Sequence, residues 1–443
     1  MKVYGDEDLQ AQAKDWYNTF QNQTFQLKSQ TYNNAVVFPY KYTPPLNCGG
    51  VFDENNNLIE LSKDLLVGDI PVGYPQRLEK TCSYKTINKD VVYLGYCSLH
   101  FGHFLISSLS RFWFLLESTD KTKDLVYISD KDNLFISDIL NFVGWEGGAR
   151  KVYRIEEPIK FKSVTIPQPC YIENQIKYKE IYRKIGEKVK AYKNYKKIFL
   201  SRAKFKGSYK IYGEEHFEKA FKKAGFKIIC PEKLSLKKQI GLMKNCEHLA
   251  GISGSALHLS LFCKDGIELS DILRYRTHFV YQLWINTMKN ITDNYIAAYS
   301  EPLTVVANAN YPRIVNINDK NFIDYANDNK MDIKKRPEYC LTPKEFLQFI
   351  SDWSLAAHRD VAETLVDTAD IGSAQKFSNT IKSIVNVEDL RRQTRPLRNL
   401  VFRIFKAKIL FLTNFIPSKN KRKILRNQAL NWIHLKLFYI KYY

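Results

Sequence analysis

Between Ile198 and Asp271, short apolar runs alternate with amphipathic ones. Ile198, Phe199 and Leu200 predict a strand that ends at a polar Ser201-Arg202 step. A helix is predicted from Glu214 to Ala224, with Phe217 and Phe221 one turn apart and Gly225 as its stop. Phe226 to Cys230 predicts a second strand, which Pro231 breaks, and a further helix is predicted from Leu236 to Asn245. Leu249, Ala250 and Gly251 predict a short buried strand that runs into Ser253-Gly254-Ser255. An apolar helix is predicted from Ala256 to Phe262, and Ile267-Glu268-Leu269 predicts the next strand. Strands and helices alternating over short connections imply a parallel sheet covered by helices. Ligands of such sheets bind beyond the carboxyl ends of the strands. Arg202, the Ser253–Ser255 loop and Glu268 are all expected at such ends, converging on one crevice.

A second alternation precedes this one. Val91 to Tyr96 predicts a strand, followed by a strongly apolar helix from about His100 to Glu117. Leu125–Ser129, Val152–Ile155 and Val164–Ile166 predict strands, and Leu134–Val143 a helix stopped by Gly144. Residues 1–85 carry only short strand and loop signals. The Lys- and Tyr-rich segment from Ile176 to Lys197 is expected to cross between the two alternations. The predicted architecture is therefore α/β, with two Rossmann-like domains facing one another across a cleft. Residues 1–190 form the first domain and 191–330 the second. Residues 331–443 form a helical extension ending in basic amphipathic segments around Leu397, Leu400, Ile404 and Phe411, then Leu425, Trp432 and Phe438.

Charge changes the picture mainly at that end. The formal charge is +21, and residues 390–443 hold 14 Lys or Arg and no Asp or Glu. Basic, aromatic-rich helices suit an anionic membrane surface or remain solvated packing helices. No nucleic-acid motif accompanies the charge, so nucleic acid is not an expected partner. None of the 8 cysteines falls in a CxxC pair, which predicts free thiols in a reducing compartment. Neither a secretory h-region nor a spanning apolar run is read from the chain. The expected location is the cytoplasm, peripheral on the inner face of the cell membrane.

Several residues could carry chemistry. His103, in Gly102-His103-Phe104 at a strand-to-helix step, could move a proton at neutral pH or serve as a capping histidine. Arg202, with Lys204, Lys206 and Lys210 close behind, suits phosphate contact; a solvated basic loop is the alternative. Ser253, Gly254 and Ser255 could offer backbone amides to an anion at a helix start, with His258 one turn on. The loop has neither the GKS/T ending of a P-loop nor GxGxxG, so a nicotinamide cofactor is not expected. Glu268 could accept from ribose hydroxyls or be structural. Glu232 and Gln239 are read as capping or structural.

Taken together these pieces resemble glycosyltransferase family 61. The matching residues are Gly102-His103-Phe104-Leu105 with Leu109 and Arg111, then Ser201-Arg202, Glu214-Glu215, Gly225-Phe226 and Pro231-Glu232. Leu234-Ser235-Leu236, Gln239, Gly251, Gly254-Ser255-Ala256-Leu257, Phe262 and Ile267-Glu268 follow in order. The resemblance spans about residues 90 to 275. It implies a GT-B fold and inverting transfer from a nucleotide sugar, expected to be UDP-linked, without a bound metal or a separate cofactor. Arg202, Lys206, Ser253, Gly254, Ser255 and Glu268 would bind the donor, and His103 and His258 would be catalytic. His103 would be the base and His258 the diphosphate partner. A glycan or lipid-linked glycan of surface-polysaccharide assembly would be the acceptor, and homo-oligomerisation is left open. The chain departs from the family at two positions. Many members carry an acidic residue at the place of Ser107 and a histidine at that of Ser253. These departures keep a second expectation open, a catalytically inactive nucleotide- or sugar-binding subunit docked at the membrane.

Overall fold

The computed structural model describes residues 1–19, 26–43, 46–66, 70–74, 84–145, 150–170, 175–205, 210–276, 280–300, 311–333 and 341–353 without 343 and 351. Towards the C-terminus it describes 406, 409, 410, 414 and 418–438. Two large sheets dominate. In the second, all pairings are parallel, and the strands lie in the order Lys2–Tyr4, Thr292–Ala297, Glu268–Leu273, His248–Ile252, Lys197–Leu200, Lys227–Ile229. Counted from Lys197–Leu200, the chain takes the order 2-1-3-4-5. The strand order reverses between Lys197–Leu200 and His248–Ile252, which is where ligands of such sheets bind. The edge strand Lys2–Tyr4, whose residues were assigned to the first domain, pairs with Thr292–Ala297 of this sheet.

The period of two explains how the sheet is covered. Ile198, Leu200, Leu249 and Leu269 point into one core, and Phe199, Ala250 and Ile272 into another. The second core is closed by Phe217 and Phe221 of the helix Glu214–Lys223 and by Phe322 and Tyr325 of Lys320–Asp328.

The first sheet is mixed. Ile159–Pro167, Lys85–Tyr96, Asp124–Ile128 and Val152–Arg154 run parallel, as the βα alternation predicts. Residues 29–74 add strands on the other side, mostly antiparallel, which makes this sheet only half Rossmann-like. The segment expected to cross between the two alternations contains a helix, Gln175–Lys188, whose Ile181, Tyr182 and Ile185 are fully buried. They share one apolar core with Val92 and Leu94 of the first sheet and Ile198 and Leu249 of the second. The expected helix from His100 to Glu117 is broken into Phe101–Ile106, a 3-10 turn at Ser108–Arg111, and Trp113–Glu117. All six described cysteines are free. Of the extension, a helix over Lys419–Phe438 is described, while much of 331–443 lies outside the described residues. Among the described residues no helix is long and apolar enough to cross a membrane.

The broken helix has a cause in Arg111, whose guanidinium is fully buried. Its Nε donates to Asp64 Oδ1 at 3.0 Å, and its Nη atoms donate to the carbonyls of Leu61, Lys63 and Pro167. The Asp64 carboxylate also accepts from the Tyr96 amide at 2.8 Å. Gly95, at φ +85°, lies over the pair, and a Cβ there would sit 2.6 Å from Asp64 Oδ2. Arg111 therefore ties three strand ends together. Removing one partner strands a buried charge, which costs about 3–5 kcal/mol. Asp64→Ala is expected to lose about that much stability by chemical denaturation; an unchanged midpoint would show that the pair holds nothing together.

Candidate functional site at the strand switch

The parallel register aligns Leu200 with Gly251 and Gly251 with Asp271. The chain therefore leaves the sheet at Ser201-Arg202, at Ser253-Gly254-Ser255 and at Arg274 along one carboxyl edge. Gly254 has φ +147°, and a Cβ built on it would lie 3.1 Å from Arg202 Nη1 and 3.9 Å from Arg274 Nη2. Two guanidinium groups thus converge on one glycine. Across the crevice stands the turn that opens the helix Phe101–Ile106. A Cβ on Gly102 would lie 2.6 Å from Ser255 Oγ and 3.2 Å from His258 Cδ2. Tyr178 and Tyr182 hold this short helix from behind by donating to the carbonyls of Ile106 and Leu105.

The imidazoles in the crevice are electrically coupled and neutral. Burial pushes His103 down to about 4, with His100 adding to the shift. His258 is also pushed down to about 4, first by burial and then by His100 and His103, against a hydrogen bond to Gln282 that opposes it. Desolvation and the charges of Arg202 and Arg274 lower His100. The His100 and His103 rings lie 4.6 Å apart, and the His103 amide donates to His100 Nδ1 at 3.4 Å. His103 Nδ1 and Ser107 Oγ are buried without a hydrogen-bond partner.

The buried carboxyls shift the other way. Glu214, in the first turn of its helix, accepts from the Arg202 amide at 2.6 Å, while its Oε2 is buried without a partner. Burial pushes Glu214 up to about 8, against the pull of Arg202. Burial likewise pushes Asp271 up to about 7, against a hydrogen bond from Ser253 and the charge of Arg274. A carboxyl held mostly neutral at Glu214 and one raised at Asp271, beside two guanidinium groups, leave the crevice a positive potential suited to a diphosphate.

Of the residues singled out in the sequence, the structure brings together His103, Arg202, Gly254, Ser255 and His258. Lys206 lies outside the described residues. Ser253 lies in the crevice, but its amide donates to the Ile272 carbonyl at 2.9 Å and its hydroxyl faces Asp271 at 3.5 Å. It extends the sheet and has no amide left for an anion. The expected helix after it is a six-residue 3-10 turn, Leu257–Phe262, so the helix-end field assumed for the loop is small.

Glu268 is placed at the opposite edge. It opens its strand, pairs in register with His248 and Thr292, and is held by His248 Nδ1 at 3.1 Å and Asn294 Nδ2 at 2.9 Å. Five residues of strand at about 3.3 Å each separate it from the crevice, so it cannot reach a ribose bound there. Arg274, Asp271 and Glu214 take its place as the ionisable groups next to the crevice. Gln239 is structural as expected, donating to the carbonyls of Pro231 and Leu234. A cavity of about 310 Å³ between the helix Phe135–Phe142 and the strand Asp124–Ile128 shares no residue with the crevice.

Residues 101–269 match the model of the family described as Glycosyltransferase 61, a span that runs from the His103 turn past the Ser253–Ser255 loop. No curated protein matches the chain.

Two outcomes follow from this geometry. Glu214 ionises near 4.5 when unfolded but near 8 when folded, so its neutral form stabilises the fold at low pH and that contribution is lost as pH rises through this window. Glu214→Gln is expected to flatten the fall in denaturation midpoint between pH 5 and 8; a slope equal to that of the parent protein would mean Glu214 is not buried neutral. Gly102→Ala is expected to cost about 1–3 kcal/mol from overpacking, with most of the loss recovered in Gly102→Ala/Ser255→Gly. Equal stability of the single and double variants would disprove the contact.

Proposed function

We propose that this glycosyltransferase, whose family 61 domain spans residues 101–269, moves a sugar from a nucleotide sugar to a hydroxyl of a surface-polysaccharide acceptor, inverting the anomeric carbon without a metal ion. The convergence of Arg202 and Arg274 on Gly254, at the strand switch and facing the His103 turn, carries this reading. The donor diphosphate, taken as UDP-linked, sits between the two guanidinium groups, with the Gly254 and Ser255 amides turned to it. The acceptor approaches from the side of the first sheet. As its oxygen attacks the anomeric carbon, His103 takes the hydroxyl proton. The bond from carbon to the β-phosphate oxygen breaks on the opposite face, and its electron pair leaves with the nucleoside diphosphate. Charge developing on that oxygen is stabilised by groups already in place, which lowers the barrier without reorganisation. Neutral His103 is in the form a base requires.

The basic tail supports a site at the inner face of an anionic membrane, where a lipid-carried acceptor would be met. The helix Lys419–Phe438 begins with Lys421, Arg422, Lys423 and Arg426.

A screen of nucleotide sugars is expected to find one that raises the melting temperature and is turned over. With that donor, Arg202→Ala and Arg274→Ala each raise KM about ten- to hundredfold, the worth of a charge-assisted hydrogen bond. His103→Ala lowers kcat about a hundredfold with KM little changed. Arginine variants that keep the parent KM would sink the diphosphate assignment, and full kcat in His103→Ala would sink the base.

A further inference from the structure

Of the three imidazoles in the crevice, His100 is the exposed one; His103 is partly buried and His258 is 1% exposed. His100 precedes the helix Phe101–Ile106 and caps it, its Nδ1 accepting from the His103 amide at 3.4 Å. A backbone N–H only donates. Nδ1 therefore holds a lone pair, and the ring proton of neutral His100 sits on Nε2. The two nitrogens point away from one another. With Nδ1 turned back into the cap, Nε2–H lies on the outward edge of the ring.

That edge opens on the crevice. The His100 ring lies 4.6 Å from the His103 ring, and Gly102, between them in sequence, is packed against Ser255 and His258. Arg202 and Arg274 on the sheet side, with His103 and His258, are the charged and titratable groups electrically coupled to it. The side chain is exposed, yet desolvation is the first cause that lowers it, ahead of Arg202 and Arg274. A ring open to solvent but walled in by its surroundings is a ring in a cleft. From the facing edge, both guanidinium groups converge on Gly254.

We infer that His100 is a binding residue for the sugar donor, its Nε2–H donating to an oxygen of the diphosphate held by Arg202 and Arg274. This rests on the nucleotide-sugar reading of the crevice and adds a contact from the side of the first sheet. His100 takes the part first expected of His258, and it lies one residue before the span matched to the family. The diphosphate then bridges the His103 turn and the carboxyl edge of the second sheet. Its negative charge offsets the two guanidinium groups that oppose a proton on His100. Binding therefore favours protonation of His100, and by reciprocity protonation tightens binding. The protonated imidazole donates a charge-assisted hydrogen bond, the stronger kind. Affinity is thus highest at low pH and falls as pH rises through the His100 titration.

The test is calorimetric titration of the full chain with inorganic pyrophosphate at pH 6 and pH 8. Comparing parent and variant at each pH cancels the titration of pyrophosphate itself. His100→Ser keeps an N-cap acceptor and removes the outward N–H. It is expected to bind about tenfold more weakly than the parent at pH 6, the lower end of the worth of a hydrogen bond to a charged group. At pH 8 the factor is smaller, and Arg202→Ala loses affinity at both. Nitrogen NMR of the parent, labelled on histidine ring nitrogens, is expected to show His100 at pH 8 with a bare Nδ1 and a protonated Nε2. Parent-like affinity of His100→Ser at pH 6, with affinity lost in Arg202→Ala, overturns this inference and leaves the diphosphate reading standing. A protonated Nδ1 on His100 in the parent overturns it too, and needs no variant to fold. If Arg202→Ala binds as the parent does, or the parent binds no pyrophosphate, the nucleotide-sugar reading fails and this inference with it.

Discussion

The crevice depends on a side chain that is missing. At Gly102 there is no room for a Cβ, because Ser255 and the edge of His258 occupy the space it would take. That close approach brings the His103 turn against the carboxyl edge of the parallel sheet. Without it, His103 on one side and the arginines around Gly254 on the other would stand further apart. The contact is braced from behind. Tyr178 and Tyr182 bond the carbonyls of the turn's short helix, and Arg111 anchors the segment that follows. A helix this short has little stability of its own, so the tyrosines and the buried ion pair fix its place, and they are what holds the turn against the loop.

Burial then sorts the charges. It lowers the histidines and raises the carboxyls Glu214 and Asp271, disfavouring the charged form of each. Guanidinium groups do not respond in this way, since they cannot lose their proton near neutral pH. The same desolvation that disfavours charge on these histidines and carboxyls leaves the guanidinium groups of Arg202 and Arg274 as the positive charges there. The positive edge and the neutral imidazoles are therefore two results of one physical cause.

Much of this was legible in the sequence, and the parts that were not share a reason. Strand starts with unbroken apolar runs, such as Ile198–Leu200 and Leu249–Gly251, appeared where expected, and so did the helix stops at Gly144 and Gly225. The strand around Glu268 was misread because it continues through Ser270 and Asp271 to Leu273. Two polar residues in a fully buried strand look like its end, which put Glu268 at the wrong edge and hid Arg274 at the right one. Gly266, at φ +76°, marks the true start and was the available signal. The pairing of Lys2–Tyr4 with Thr292–Ala297 joins residues nearly 300 positions apart, and no local pattern encodes such a partner. The helix Gln175–Lys188 was obscured by its charged residues, of which Arg183, Glu187 and Lys188 are exposed while Ile181, Tyr182 and Ile185 fill the shared core.

Ser253 shows how a departure in sequence can be absorbed by the fold. Its amide extends the ladder to Ile272, and its hydroxyl turns to Asp271, whose other carboxyl oxygen is buried without a partner. An imidazole here would have to fit between the same strand and the same carboxyl. With serine, burial raises the carboxyl with a weak donor beside it, which reduces the negative charge that would otherwise offset Arg274. With a protonated imidazole, Asp271 would be drawn into an ion pair and the positive charge would move from Arg274 to the loop. Serine at this position therefore leaves the positive charge of this edge with the arginines beside Gly254.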